Sequence, residues 1–518
     1  MGIPCYFSNI IRKYNKIMFK KDESKFEVNN FYLDSNSIIY DAIRKCDITV
    51  PNFAKQIQDE VIFQLEQHIF DVAPTHKIII AFDGIAPMAK IQQQRERRFK
   101  SNLERKIRST LYDKEESWDT CNITPGTKFM KDLMFRLENY FTKYANVEIY
   151  SSNNPGEGEH KIFEYIRKHP EQHKNTNTVI YGLDADLIML CISHKEYCKK
   201  IYLYRETPHF IRSIAPSLEP NSTYLLDIST LIKYIQQDVN SMLNDYVFVC
   251  FLLGNDFLPH FPALNIRTTG MTTILTTYKL VFKSGDNNLV SSDKNIIWKN
   301  LRLFISELAK QEHDILHDEY WIRDKWEKRT KILDHRLARK TNDDKMDKFN
   351  NIPTKNRDIE NMIDPFSRGW RERYYTQLLD ITPTPENIKR LCNNYLEGLE
   401  WTYRYYTDCC YDWRWKYNYS YPPLLEDLAR HIPYFDISMI QKREPEPLDP
   451  RVQLSFVLPI KSFDSLVELD DNTREKVKSL LYYDDVRYEW SFCKYFWEAH
   501  VHFPYVDVKE LENILLTN

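Results

Sequence analysis

The stretch Thr178-Val179-Ile180-Tyr181-Gly182-Leu183-Asp184-Ala185-Asp186-Leu187-Ile188-Met189-Leu190 decides the fold. A β-rich apolar run ends in two aspartates one residue apart, and a second apolar run follows at once. The first run predicts a parallel strand buried on both faces, because only such a strand needs apolar residues at consecutive positions. The aspartates then sit where the strand stops, the edge at which open α/β sheets bind ligands. Two carboxylates so close repel each other, and a cation relieves that repulsion. A single Asp in this place is more often the cap of the next helix, so the rest of the chain must decide.

Working outward, the pattern repeats. Phe31 to Leu33 is an apolar run closed by Asp34, and Lys77 to Phe82 is another closed by Asp83. Between them, residues 53 to 70 carry helical periodicity through Ile57, Val61, Ile62, Leu65 and Ile69. A helical stretch from about 129 to 144 leads into the short strand Val147 to Tyr150. Asn153 to Gly156 breaks the chain, and Glu157-Gly158-Glu159 opens a helix; Lys200 to Tyr204 is a further strand. Strands and helices alternate, which predicts a mostly parallel sheet flanked by helices with an acidic cluster on its carboxyl edge. Three strand-ending aspartates together with a Glu-x-Glu are more than capping explains. Residues 246 to 253 predict a helix stopping in a turn that carries one more carboxylate, Asp256.

Composition bounds the class. A chain of 518 residues predicts two or three domains. With a formal net charge of -3, any nucleic-acid surface must be a local patch. The ten cysteines form no CxxC pair and no zinc spacing, which predicts reduced thiols in an intracellular setting, cytoplasmic or nuclear. No signal peptide and no apolar run of about 20 residues is present, so no membrane association is expected. From about 285 to 370 charges crowd together, predicting exposed helices and a charged insertion, mobile around 340 to 358. Residues 388 to 437 are strongly aromatic and predict a core helix followed by a packed aromatic loop. The expected division is a core over 1–285, a charged helical connection over 286–370, and an aromatic-rich, mainly helical part over 371–518.

Seven carboxylates are candidate ligands: Asp34, Asp83, Glu157, Glu159, Asp184, Asp186 and Asp256. An all-oxygen set suits Mg²⁺ or Mn²⁺ rather than zinc. So many could hold two ions, the arrangement for in-line attack at a phosphodiester. Just beyond Asp83, residues 89 to 108 contain eight basic side chains against two Glu. Lys90, Gln94, Arg97 and Arg98 fall at i, i+4, i+7 and i+8, on one helix face. Such a run is usually a solvated charged helix. Its position beside a metal-type Asp favours phosphate binding, for which Arg forks and an amide are suited. Tyr40, Trp413 and Trp415 could stack on bases, although each taken alone is more typical of a core.

Five motifs now come together: Asp34-Ser35-Asn36-Ser37-Ile38-Ile39-Tyr40; Asp83 to Lys90 with Gln93-Gln94-Arg95-Glu96-Arg97-Arg98-Phe99; Pro155 to Lys161; Gly182 to Ile188; and Gly254 to His260. They resemble the XRN family of 5′→3′ exoribonucleases, as do the opening Met1-Gly2-Ile3-Pro4 and the segment Gly398 to Leu428 with its Trp-x-Trp at 413 to 415. The resemblance implies a PIN-like nuclease core and two Mg²⁺ on the seven carboxylates. It implies a pocket of Lys90, Gln94, Arg97 and Arg98 for a 5′-monophosphate, too small for a capped or triphosphorylated end. It also implies release of 5′-mononucleotides from single-stranded RNA, in RNA decay or processing. The family commonly has Gly and His where this chain has Ser37 and Tyr40; a Tyr ring keeps stacking but loses the imidazole. The ending near residue 518 and the divergent region after 285 suggest a minimal, fast-evolving member, of a kind that could be viral.

Two rivals are set against this. A flap-endonuclease-like DNA nuclease would follow its last metal-site Asp with a glycine-rich helix-hairpin-helix, and Phe257 to Gly270 has no Gly-x-Gly turn. A catalytically silent RNA-binding relative would be expected to have lost several carboxylates, and all seven are present.

Overall fold

The structure is a computed structural model that describes residues 2–21, 26–47, 50–113, 118–239, 243–282, 287–336, 341–482 and 486–517. Its main sheet has seven strands: β1 (Met18–Phe19), β2 (Asn30–Asp34), β3 (Ile78–Ala81), β4 (Val147–Tyr150), β5 (Asn177–Tyr181), β6 (Lys200–Glu206) and β7 (Thr223–Asp227). Their order across the sheet is β1-β7-β6-β5-β2-β3-β4, with β6-β5-β2-β3-β4 parallel and, at one edge, β7 antiparallel to both β6 and β1. The mostly parallel sheet is as the sequence predicts. The antiparallel edge is not, because Leu225-Leu226 is too short an apolar run to stand out between turn residues.

Alternation along the strands divides the core. Tyr32, Ile79, Ala81, Ile180 and Leu203 point to one apolar cluster, while Phe31, Leu33, Ile78, Ile80, Val179 and Tyr181 point to the other. This is the period-2 geometry of a strand covered on both faces. The helices Asn36–Lys45, Phe53–Val72 and Lys128–Phe141 cover the second face. The helices Gly158–Lys168 and Asp186–Ser193 cover the first, whose cluster continues into the helices Trp298–Arg336 and Pro385–Thr407.

The charged region departs from expectation. Trp298–Arg336 is one helix of 39 residues, not an exposed insertion. Trp298, Leu301, Phe304, Ile305 and Leu308 are buried on it, and buried Arg323 pairs with Glu360, which also pairs with Arg357. Residue 340 lies outside the described residues. Beyond it, Thr341 and Asp344 form a capping box for the helix Asn342–Asn350, so ordered structure replaces the mobile stretch. The aromatic part is helical as predicted, with a small antiparallel pair, β8 (Arg487–Glu489) and β9 (His500–His502). A third apolar cluster joins Ile85, Met88 and Ile91 to Phe456, Val457 and Phe463. The end of the chain thereby braces the start of the helix Met88–Tyr112. Among the described residues no helix is long and apolar enough to cross a membrane.

Candidate active site

The strands β5 and β3 flank β2, and the chain runs β2-β3-β4 to one side before returning to β5 on the other. The carboxyl ends around β2 are thus the topological switch point, where open α/β sheets bind ligands. Asp34 is the last residue of β2, and Asp83 and Asp184 follow just after β3 and β5. Glu157 precedes the helix Gly158–Lys168, Glu159 lies in its first turn, and Asp186 is the first residue of the helix Asp186–Ser193. Asp256 leaves the 3₁₀ turn Phe251–Leu253 in a loop held by Asn255, whose Oδ1 accepts from the backbone N–H of Phe257 and Leu258 at 2.9 Å each.

Capping does not account for these residues. Ala185 is the N-cap residue of the helix Asp186–Ser193 and Glu157 that of Gly158–Lys168, and neither makes a side-chain cap bond. Asp83 does accept from Gly158 N–H at 2.7 Å and from Asn36 Nδ2 at 2.5 Å, which orients it. Gly158 is required here because a Cβ would lie 2.9 Å from Asp34 Oδ1.

The cluster is electrostatically frustrated without a cation. Burial, then Asp83 and Asp184, push the Asp34 carboxyl well up. Burial, then Asp186, does the same to Glu159, and burial with Asp256 pushes Asp186 up to about 7. Glu159 Oε2 and Asp186 Oδ1 are buried with no hydrogen-bond partner. Lys90 relieves part of this charge: its ammonium ion-pairs with Glu157 and lies 2.9 Å from Asp256 Oδ2. Burial works against the Lys90 charge, but Asp256 and Glu157 outweigh it and hold the pKa well up. Among the described residues no three carboxylates already enclose one point. The orphaned oxygens and hard-oxygen donors nevertheless suit divalent cations of the Mg²⁺ class.

The basic helix meets this cluster. Arg97 is half-buried; desolvation works against its charge, but Tyr40, Asp256, Asp184 and Asp83 favour it and raise its pKa. Tyr40 and the acidic cluster thus act on the charge of one guanidinium. Gln94 Oε1 and Arg98 Nη1 are buried and unpartnered, with burial lowering the Arg98 pKa. Arg95, off the stripe, is structural, its guanidinium lying against Phe456 and Phe503. The two tryptophans separate. Trp415 is buried, stacked on Trp401 at 5.1 Å and pressed on Gly398, so it belongs to the core and is withdrawn as a stacking residue. Trp413 is half-buried, and its carbonyl accepts from Met88 N–H at 2.9 Å, which fixes it to the start of the basic helix.

The sequence reading missed several contributors. Tyr405 donates to Glu157 Oε1 at 2.8 Å and stacks on His160 at 3.7 Å, while Asp186 lies near enough to Tyr406 to help push its hydroxyl pKa up. Arg205 donates to the Leu183 carbonyl at 2.8 Å, steadying the loop that carries Asp184. A buried Tyr hydroxyl needs a partner, but only the tertiary fold names it.

Residues 1–207 match the family model described as "XRN 5'-3' exonuclease N-terminus", and residues 236–365 and 336–517 match "Xrn1 helical domain". The chain belongs to the XRN family. The resemblance in the five motifs is thus borne out over nearly the whole length, and the sheet is the mostly parallel, helix-flanked one it implied. Among curated relatives of this XRN chain, a Drosophila melanogaster protein named 5'-3' exoribonuclease 2 homolog is 26% identical over 100% of this chain and 71% of its own. A Saccharomyces cerevisiae 5'-3' exoribonuclease 1 is 27% identical over 89% and 39%, and the Homo sapiens protein of that name 28% over 99% and 34%. The chain thus spans well under half the length of the latter two. The catalytic core of Rad2 in complex with DNA substrate aligns at a TM-score of 0.34 and 14% identity over 59% of this chain and 73% of that one, and nothing further rests on it.

Proposed function

We propose that this XRN-family chain is a metal-dependent 5′→3′ exoribonuclease that degrades single-stranded RNA from a 5′-monophosphate end to 5′-mononucleotides. The observation that carries it is the contact between two chemistries: the stripe of the helix Met88–Tyr112 abuts the acidic cluster, with Lys90 between Glu157 and Asp256. A site that cuts phosphodiesters thereby lies beside one that holds a chain end.

The seven carboxylates would hold two Mg²⁺, with Mn²⁺ able to substitute, and the ions would supply water activation and charge neutralisation at the leaving oxygen. Arg97, Arg98 and Gln94 would grip the 5′-phosphate, and Arg97 would set its distance from the carboxylates. Tyr40 and Trp413 would stack on the first base. Tyr405 and Tyr406 would hold Glu157 and Asp186 in place. In this reading residues 1–285 supply the nuclease core, 286–370 connect, and 371–518 complete the RNA channel. A flap-type DNA nuclease is disfavoured, since Phe257 to Gly270 forms a 3₁₀ turn, Pro262–Leu264, before the helix Gly270–Val281.

The test is incubation with Mg²⁺ and matched single-stranded RNAs bearing 5′-monophosphate, 5′-hydroxyl or 5′-triphosphate. Mononucleotide release is expected to be fastest from the monophosphate and abolished by EDTA. Equal rates on all three ends, or internal cuts, would sink the reading.

A pH dependence follows for the metal-free protein. Burial and Asp256 push the Asp186 carboxyl from 3.8 up to about 7, so the folded state binds the extra proton between these values. Its contribution is then present at low pH and lost as pH rises through about 7. In EDTA the melting temperature is expected to fall across this window, and Mg²⁺ at pH 8 to restore it. A flat profile with no Mg²⁺ response would refute a shared cation site.

A further inference from the structure

Beside the basic stripe lies a cavity of about 330 Å³ that shares Arg97 and Asp256 with the proposed site and extends beyond it. Its walls include Gly2 and Asp256, Gln93 and Lys100 of the helix Met88–Tyr112, and Trp497 and His500. Residues 93, 96 and 100 occupy a helix face roughly 100° from that of Lys90 and Gln94. Arg97 lies between the two faces and lines the cavity as well.

The lining is that of a built polar site. Gln93 Oε1, Asn255 Nδ2 and His260 Nε2 are buried there without hydrogen-bond partners. Two of the cations on the wall are engaged: Lys100 donates to the Ala499 carbonyl at 2.6 Å, and Arg267 is ion-paired with Glu498. For the half-buried Lys416 no hydrogen bond or ion pair is recorded among the described residues. Burial and the like charge of Arg95 lower its pKa, and an anion would relieve both neighbours. Tyr419 and Trp497, the latter 43% exposed, add aromatic faces. The volume falls at the lower end of the ~300–1,000 Å³ usual for small-molecule sites.

We propose that this cavity is a second nucleotide site, which takes the nucleoside 5′-monophosphate released in each cycle, with its phosphate toward Arg97 and Lys416 and its base toward Trp497. The inference rests on the exonuclease reading. After hydrolysis the mononucleotide would lie beside Asp256 with the shortened RNA behind it, so a pocket that has Asp256 in its wall would let the product clear the path of the next phosphate. The unpartnered amide and imidazole atoms would meet polar edges of base or sugar.

The test is calorimetric titration of the full chain with 5′-AMP in EDTA. Lys416→Ala and Trp497→Ala are each expected to weaken binding at least about tenfold. Lys416→Gln, which keeps the stem in place, should show the same loss, and Trp497→Phe should retain most of the affinity. In a two-site titration Arg98→Ala should weaken only binding at the stripe and leave the Lys416- and Trp497-dependent site in place. Loss of binding in Arg98→Ala with none in Lys416→Ala would place the nucleotide on the stripe and overturn the second site. So would the absence of saturable binding at millimolar 5′-AMP. RNA decay by the same preparation separates the two readings: a chain that ignores RNA yet binds 5′-AMP through Lys416 loses the exonuclease reading and keeps the nucleotide site.

Discussion

Asp186→Asn is expected to reduce mononucleotide release from 5′-monophosphorylated RNA roughly a thousandfold or more, about 4 kcal/mol of transition-state stabilisation. RNA binding should remain within about threefold, because the phosphate stripe is untouched. The same substitution should raise the melting temperature of the metal-free protein at pH 8. Asp186 is buried, is pushed up to about 7 by burial and Asp256, and has an unpartnered Oδ1. Ionising it at pH 8 in the fold costs up to about 4 kcal/mol relative to the unfolded chain, and a neutral amide removes that cost. A carboxylate kept for structure would behave oppositely, losing stability on substitution. Lower stability together with normal turnover would refute the assignment. Rapid-quench turnover and thermal unfolding in EDTA measure the two arms.

Arg97→Ala is expected to slow decay of the 5′-monophosphorylated substrate by roughly 10- to 150-fold, as loss of about 1.5–3 kcal/mol of charge-assisted hydrogen bonding would give. The 5′-hydroxyl substrate should change far less, so the preference between ends narrows. The reason is electrostatic: burial works against the Arg97 charge, but Tyr40, Asp256, Asp184 and Asp83 favour it and hold its pKa up, whereas burial lowers that of Arg98. Arg97→Lys should recover only part of the preference, since an ammonium cannot offer the bidentate fork. An unchanged ratio of rates on the two ends in Arg97→Ala would remove this residue from the phosphate site.

Much of this was legible before the fold. A buried parallel strand needs apolar residues on both faces, so the runs before Asp34, Asp83 and Asp184 stand out, and the carboxyl-edge cluster follows from them. Helical periodicity also places Lys90, Gln94, Arg97 and Arg98 on one face with no knowledge of what lies opposite. The charged helix Trp298–Arg336 was misjudged because its buried charges, Arg323 among them, are satisfied by Glu360 and other partners distant in sequence. Composition counts a charge but not its partner.

The local and periodic features follow from the chain alone: strand ends, the acidic set, the basic stripe and the family motifs. Only the tertiary structure decided that Trp415 belongs to the core while Trp413 is tied to Met88, and that Tyr405 and Tyr406 reach Glu157 and Asp186 from more than 200 residues away. It alone set Lys90 between two carboxylates and opened a cavity on the neighbouring face of its helix. The physical reason is common to all of these. A side chain's spacing along its own element is fixed by backbone geometry, whereas its partner across space is fixed by how the elements pack.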